Sequence, residues 1–255
     1  MEGYLYETHS HTSEASACGK VSGADYTEFM KKRGFQGMII TDHFLNGNTA
    51  IDKRLPWKEQ VAGYVSGYKK ALEAAKGKDF DVLFGVEFNF QGDEYLIYGI
   101  DEQWLLENEQ IMLMSRKEVY EHIQATSDAI LVQAHPYRER GYLKDIKLMP
   151  EICDGIECYN AANPDYQNAL GYQYGQKLGV PMTAGSDIHF YNDDPMGGML
   201  LPRRIHDTSE YVDMIRRREG IPVQITLDNK MTPVAEMENL TVPTREPDLE
   251  VIYVS

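Results

Sequence analysis

The chain has 255 residues, enough to bury a sizeable core, and carries 25 Lys and Arg against 40 Asp and Glu, a formal net charge of −15. A field of that sign repels polyanions, which disfavours long nucleic acid as a partner but leaves room for a small phosphate held by a local cationic pocket or a bound metal. Cys18, Cys153 and Cys158 form no C-x-x-C pair, and no apolar run has the length of a membrane span or the layout of a secretory signal; the expectation is a reduced, cytoplasmic protein with no membrane partner.

The first apolar run starts at Tyr4 and ends in Glu7-Thr8-His9-Ser10-His11. In a strand, residues two apart share a face, so His9 and His11 project together as half a metal site. Val21 to Arg33 spaces Ala24, Tyr26, Phe29 and Met30 as a helix that stops before Gly34. Phe35 to His43 reads as a short buried strand ending in His43, and Pro56 to Lys78 as a long helix with a stripe of Val61, Val65, Tyr68, Leu72 and Ala75. Phe80 to Phe88 is a buried strand in which Glu87, an acid in an apolar run, needs a partner.

Tyr95 to Ile100 is a further short strand, Ser115 to Ser127 a helix with a Ser115–Glu118 capping box, and Ala129 to Ala134 a strand running into His135-Pro136-Tyr137-Arg138. The strand Gly155 to Asn160, a helix from about Asp165 to Leu178, and the strand Val180 to Ala184 leading into Gly185-Ser186-Asp187-Ile188-His189 repeat the same unit. After a weak strand at Met199 to Leu201 and a helix at Ser209 to Arg218, Ile221 to Ser255 is a Pro-interrupted tail with short β-prone pieces.

Six β-prone segments separated by helices point to a parallel sheet, and in an α/β barrel the strand ends converge on one face. His9, His11, His43, Glu87, His135, Asp187 and His189 all fall at such ends, whereas His122 and His206 read as surface residues. Imidazole and carboxylate without a thiolate cluster suit zinc, manganese or iron, and a carboxylate such as Glu87 bridges two such ions, an arrangement that activates water for in-line displacement at phosphorus.

The ordered set HSH, TDH, GVE, AHPYR, GIECYN and GSDIH resembles the polymerase and histidinol phosphatase (PHP) family of metal-dependent phosphoesterases. The resemblance implies a distorted seven-stranded β/α (TIM-like) barrel with a metal cleft at the C-terminal ends of the strands. A single domain over 1–255 is expected, with motifs in 4–200 and 221–255 as an extension packed on the barrel. It further implies two or three divalent metal ions: one on His9, His11, Glu87 and Asp187, a second on Glu87 and His135, a third on His43 and His189. Two departures stand out. Where relatives place a further His or Asp after the first motif, this chain offers Glu14 and Cys18, of which Glu14 is the favoured ligand. Where many relatives carry a histidine between Glu87 and His135, Tyr95 to Ile100 has none, so water or substrate would stand there.

Arg138 resembles the family's basic residue near the phosphate, Glu157 and Asn160 resemble a segment that supports a ligating histidine, and Lys20 and Arg116 read as solvated charges. The leading functional expectation is a phosphoesterase that hydrolyses a small phosphate ester by metal-activated hydroxide, with Glu87, His43 and His189 catalytic and Arg138 on the substrate. The alternatives are an amidohydrolase-type metal hydrolase, disfavoured because His43 comes early and His135 stands alone mid-chain, and a non-catalytic metal-binding regulatory module.

Overall fold

A computed structural model describes residues 2–191 and 194–254. The six segments read as strands that end in ligand-type residues form β1 (Tyr4–Ser10), β2 (Gly37–Ile40), β3 (Asp81–Phe90), then, after the intervening β4 (Asp93–Tyr98), β5 (Ile130–Gln133), and, after β6 (Asp145–Leu148), β7 (Gly155–Asn160) and β8 (Met182–Gly185). β9 (Met196–Leu201), β10 (Ile221–Ile225), β11 (Met231–Pro233) and β12 (Glu250–Tyr253) follow. Ten of these strands make one mixed sheet, in the order β11-β10-β9-β1-β2-β3-β4-β5-β7-β8, that curls into a half-barrel; β12 pairs in parallel with β6 in a separate ribbon.

The expected distorted seven-stranded barrel is therefore corrected in strand count: the main sheet has ten strands, not all parallel. The six strands with ligand-type ends do run parallel to one another, but β4 lies antiparallel between β3 and β5. The cause is local: only Gln91 and Gly92 separate β3 from β4, a connection that makes a hairpin and is too short for the crossover a parallel strand needs. On the other flank β9 is antiparallel to β1 and β10 to β9, so part of the tail joins the sheet edge.

The helices are α1 (Tyr26–Lys32), α2 (Trp57–Tyr64), α3 (Ser66–Ala75), α4 (Glu102–Glu107), α5 (Arg116–Thr126), α6 (Asp165–Leu178), α7 (Thr208–Arg216) and α8 (Glu238–Thr241). The capping box that opens α5 forms as read, and α6 has the expected bounds. The long helix expected over 56–78 is two helices broken at Val65, next to Tyr64, which turns into the core and donates to the Asp42 carbonyl at 2.6 Å.

One face of the sheet packs Val86, Phe88, Tyr95 and Ile97 against Val61, Tyr64, Val119 and Ile123 of the helices. The concave face buries Tyr6, Ile39, Leu83, Leu96, Ile130 and Val132 with Val212 and Ile215 of α7. Arg204, leading into α7, pairs with Asp81 at the start of β3, at the opposite end of that strand from Glu87. That end is sealed, and the C-terminal end is left for the cleft. No helix among the described residues is long and apolar enough to cross a membrane.

Candidate metal centre

The chain just past β8 runs parallel beside the end of β1. His11 N donates to the Ile188 carbonyl at 3.0 Å and Ile188 N to the His9 carbonyl at 3.3 Å, which brings Asp187 and His189 onto His9 and His11. The approach depends on glycine: a Cβ at Gly185 would lie 2.5 Å from His9 Cβ, and one at Gly197 of β9 would lie 2.2 Å from the Gly185 carbonyl oxygen. A parallel bridge between His43 and Glu87 extends β2 along β3 in the same way.

The side chains meet around Glu87, which is fully buried. Its Oε1 lies 3.0 Å from His9 Nε2 and 3.2 Å from His135 Nε2, and its Oε2 lies 2.5 Å from His43 Nδ1. Asp187 Oδ1 lies 3.1 Å from His11 Nε2 and 3.5 Å from His9 Nε2. The rings of His11 and His189 stack with centroids 4.2 Å apart. Four triads have ligand atoms close enough to share an ion: His9-His11-Asp187, His9-Glu87-His135, His11-His43-His189 and His43-Glu87-Glu94.

A surrounding layer sets the orientation of these rings. His9 Nδ1 donates to Glu157 Oε1 at 2.8 Å, and Glu157 Oε2 accepts from His135 N and from the Asn160 amide. His11 Nδ1 donates to Ser16 Oγ at 3.1 Å, and Ser16 donates on to Asp42 at 2.6 Å. His189 Nδ1 donates to the Asp187 carbonyl at 2.8 Å. Each of these three rings thus spends Nδ1–H on a fixed acceptor and turns inward Nε2, the nitrogen whose lone pair a bound cation would take. Glu7 accepts from His9 N and Ser186 N and ties β1 to the chain after β8 from beneath.

His9 Nε2, His11 Nε2, His43 Nδ1, Glu87 Oε2 and Asp187 Oδ1 are all buried without a well-formed hydrogen bond. Buried polar atoms are nearly always satisfied, so five orphans facing one centre mark a place for cations. The electrostatics agree. Burial alone would lift the Glu87 and Asp187 carboxyls, yet His43 and His9 hold Glu87 well below the usual range, and Arg138 and His9 do the same for Asp187. Burial works against a charged His9, but Glu157, Asp187 and Glu87 outweigh it and raise that imidazole well above its ordinary value. His11 goes the other way, held neutral by burial and by His43 and His189. The donor set fits divalent cations.

His9, His11, His43, Glu87, His135, Asp187 and His189 all come together as the sequence reading expects. Glu14 does not, and its expected role as a ligand is corrected. Its carboxylate turns outward to accept from Ser22 Oγ and Gly23 N and to pair with Lys70 at 3.0 Å. Cys18 instead lines the cavity with His189 and His43, which bring its thiol down to about 6 against the effect of burial. Glu94 is the residue the sequence reading missed: Oε2 lies 3.3 Å from His135 Nε2 and Oε1 3.8 Å from His43 Nδ1. Arg116, read as a solvated charge, stacks over Phe90 and pairs with Asp93, bracing the β3–β4 hairpin. His122 bonds Asn108 and His206 is exposed, both away from the cleft. Arg138 sits at the rim with Nη2 on Asp187 Oδ2 at 2.5 Å and on Asn160 at 3.0 Å, and Nε on Asn163 at 2.8 Å.

The sequence model of the PHP domain matches residues 7–174. The chain belongs to the PHP family. Solved structures are also similar to the chain in fold. A two-domain protein containing a predicted PHP-like metal-dependent phosphoesterase from Bacteroides vulgatus superposes with a TM-score of 0.63 at 15% identity, over 87% of this chain and 64% of that one. PsfC from Pseudomonas syringae gives 0.52 at 14% identity, over 83% and 88%. An amidohydrolase from Chromobacterium violaceum, solved with sulfate and no metal, gives 0.47 at 13% identity, over 82% and 96%. The chain thus spans less than two thirds of the Bacteroides protein. No curated protein matches it. The matched span contains His9, His11, His43, Glu87, Glu94 and His135 of the clusters that could bind metal, and Asp187 and His189 follow it.

Proposed function

We propose that this chain hydrolyses a small phosphate ester in the cleft above β1, β3 and β8. The observation that carries the reading is the set of five orphaned ligand atoms converging beside Arg138. In it His9, His11, Glu87 and Asp187 would hold one divalent cation, Glu87, Glu94 and His135 a second, and His43 and His189, with Cys18 beside them, a third. Such cations, when bound, acidify water and neutralise phosphoryl oxygens.

The chain's own groups supply orientation and proton transfer. Arg138 fixes Asp187 from outside and presents a planar guanidinium to the 580 Å³ cavity over the cluster, suited to a phosphate oxygen pair. Among the clustered imidazoles, His43 and His189 reach furthest toward solvent, with side chains 11% and 20% exposed. In a site that holds only the first two cations, they are the groups placed to hand a proton to the departing alkoxide. His9 and His11, fully buried, are left to hold position.

The test uses purified protein, stripped and reloaded with manganese, iron or zinc, and follows phosphate release from propyl phosphate. Release is expected with at least one of these cations, and Glu87→Gln should lower it by about 100-fold or more while circular dichroism stays native. Turnover of lactones or amides with no phosphate released by the loaded protein would overturn the reading.

A further inference from the structure

The loop that leaves β5 places two guanidiniums over the cleft, and only one of them is matched. Between Arg138 and Arg140, Glu139 faces the other way: its carboxylate accepts from the Tyr166 hydroxyl at 2.5 Å and from the backbone N–H of Asp248 at 2.7 Å and of Leu249 at 2.9 Å. With Glu139 anchored outward, both arginines line the cavity that holds His43, Glu94 and Asp187. Arg138 finds Asp187, Asn160 and Asn163. Arg140 makes a single hydrogen bond, Nη1 to the Glu139 carbonyl at 3.1 Å, and pairs with no carboxylate among the described residues.

Arg140 is half-buried, and burial together with the neighbouring Arg138 depresses its pKa. Partly desolvating a guanidinium beside a second one is unfavourable, and an arriving anion relieves it. A phosphate held over the metal cluster would face Arg138, next to Asp187; Arg140 lines the same cavity, together with Asn48, Gln91 and exposed Tyr142. The neighbouring 490 Å³ lobe, beyond Asp187 and His189, is lined mainly by Ile188, Phe190, Pro195 and Met196, with exposed Lys20 on it, and suits an apolar part of a substrate.

We propose that the substrate carries a second anionic group, phosphate or carboxylate, and that Arg140 binds it in the lobe over His43 and Glu94. This rests on the phosphoesterase reading above. It makes Arg140 the specificity-determining residue of the cleft, selecting doubly anionic esters over simple ones by a charge-assisted hydrogen bond.

The experiment compares kcat/KM of the metal-loaded protein for propyl phosphate, carboxypropyl phosphate and trimethylene bisphosphate. The wild type should favour at least one doubly anionic ester by about tenfold or more, and which one tells carboxylate from phosphate. Arg140→Gln should bring that ratio to within about twofold of unity, and Arg140→Lys, which keeps the charge, should retain a measurable preference. An unchanged ratio in Arg140→Gln, or a ratio lost in Lys20→Gln instead, overturns the proposal. If no ester is hydrolysed, the phosphoesterase reading falls separately. Calorimetric binding of propylphosphonate and trimethylenebisphosphonate to the loaded wild type and Arg140→Gln then decides the subsite, with equal discrimination by the two proteins counting against it.

Discussion

At the scale of single residues, two glutamates divide the cleft from its surroundings. Glu94 stands 3.3 Å from His135, whereas Glu14 is bound to Ser22, Gly23 and Lys70. Glu94→Ala is expected to lower the amount of manganese or zinc that copurifies, measured by elemental analysis, while Glu14→Ala leaves it at the wild-type level. Glu14→Ala should instead cost about 1–2 kcal/mol of stability near neutral pH, through the donors it leaves unpaired. The pH dependence has a definite sign. Burial opposes the Glu14 carboxylate, but hydrogen bonds from Ser22 and Gly23 and the Lys70 charge hold its pKa below the ordinary value. A folded-state pKa lower than the unfolded one stabilises above the usual carboxylate range, and the gain fades as pH falls through that range to the depressed value. The stability gap between wild type and Glu14→Ala in denaturant titrations should therefore shrink in acid; a gap that widens there contradicts this account.

The seven expected ligands at the strand ends were legible because each sits at a place where periodicity changes, and ligand chemistry then narrows the choice. Glu94 was not legible for a register reason. Asp93 and Glu94 are consecutive, on opposite faces of β4, and the two-residue turn at Gln91 and Gly92 decides which faces the site by pairing Glu94 with Asn89, on the same face as Glu87. Glu14 and Cys18 lie in an irregular loop where no period relates side chains at all, so residue chemistry alone could not tell that Glu14 turns outward.

At the scale of elements, the centre is assembled by three strand ends that must touch. β8 and the segment after it lie against β1, and β9 crosses them at Gly197, with no space for a side chain at Gly185 or Gly197. Gly185→Ala drives a Cβ into His9 and comes within 3.1 Å of Glu157 Oε1, the partner that orients the His9 ring. Overpacking of this kind costs about 1–3 kcal/mol, and displacement of His9 should weaken metal affinity about tenfold or more, as loss of an orienting partner does. Thermal denaturation together with chelator competition measures both, and an alanine variant with wild-type affinity would show that the close approach is not needed. The hairpin β3–β4 is the other decisive element. It inserts an antiparallel strand into the parallel set and carries Glu94 to the rim.

At the scale of the whole molecule, the chain carries a net charge of −15, and four of its acids lie in the centre. Glu87, Glu94, Glu157 and Asp187 gather within one cluster of imidazoles, and the native fold holds them together at a cost in mutual repulsion. A ligand that binds the folded state and not the unfolded one adds stability in proportion to the logarithm of its concentration over Kd. Treatment with a chelator should accordingly lower Tm by about 5–10 °C relative to protein held at about a hundredfold excess over Kd. Restoring manganese or zinc should reverse the shift; a Tm indifferent to cations would count against the centre.

What the sequence determined by itself was local. Alternation placed His9 and His11 on one face, buried runs marked β2, β3, β5, β7 and β8, and capping chemistry opened α5. What tertiary structure alone decided was which of the polar residues after those runs meet. Strand order, the antiparallel insertion of β4, the edge strands β9 to β11 and the outward turn of Glu14 depend on contacts between residues far apart in the chain. The free energy of such contacts is set by packing and charge in three dimensions, where a two-residue turn or a missing Cβ outweighs any preference a single side chain carries.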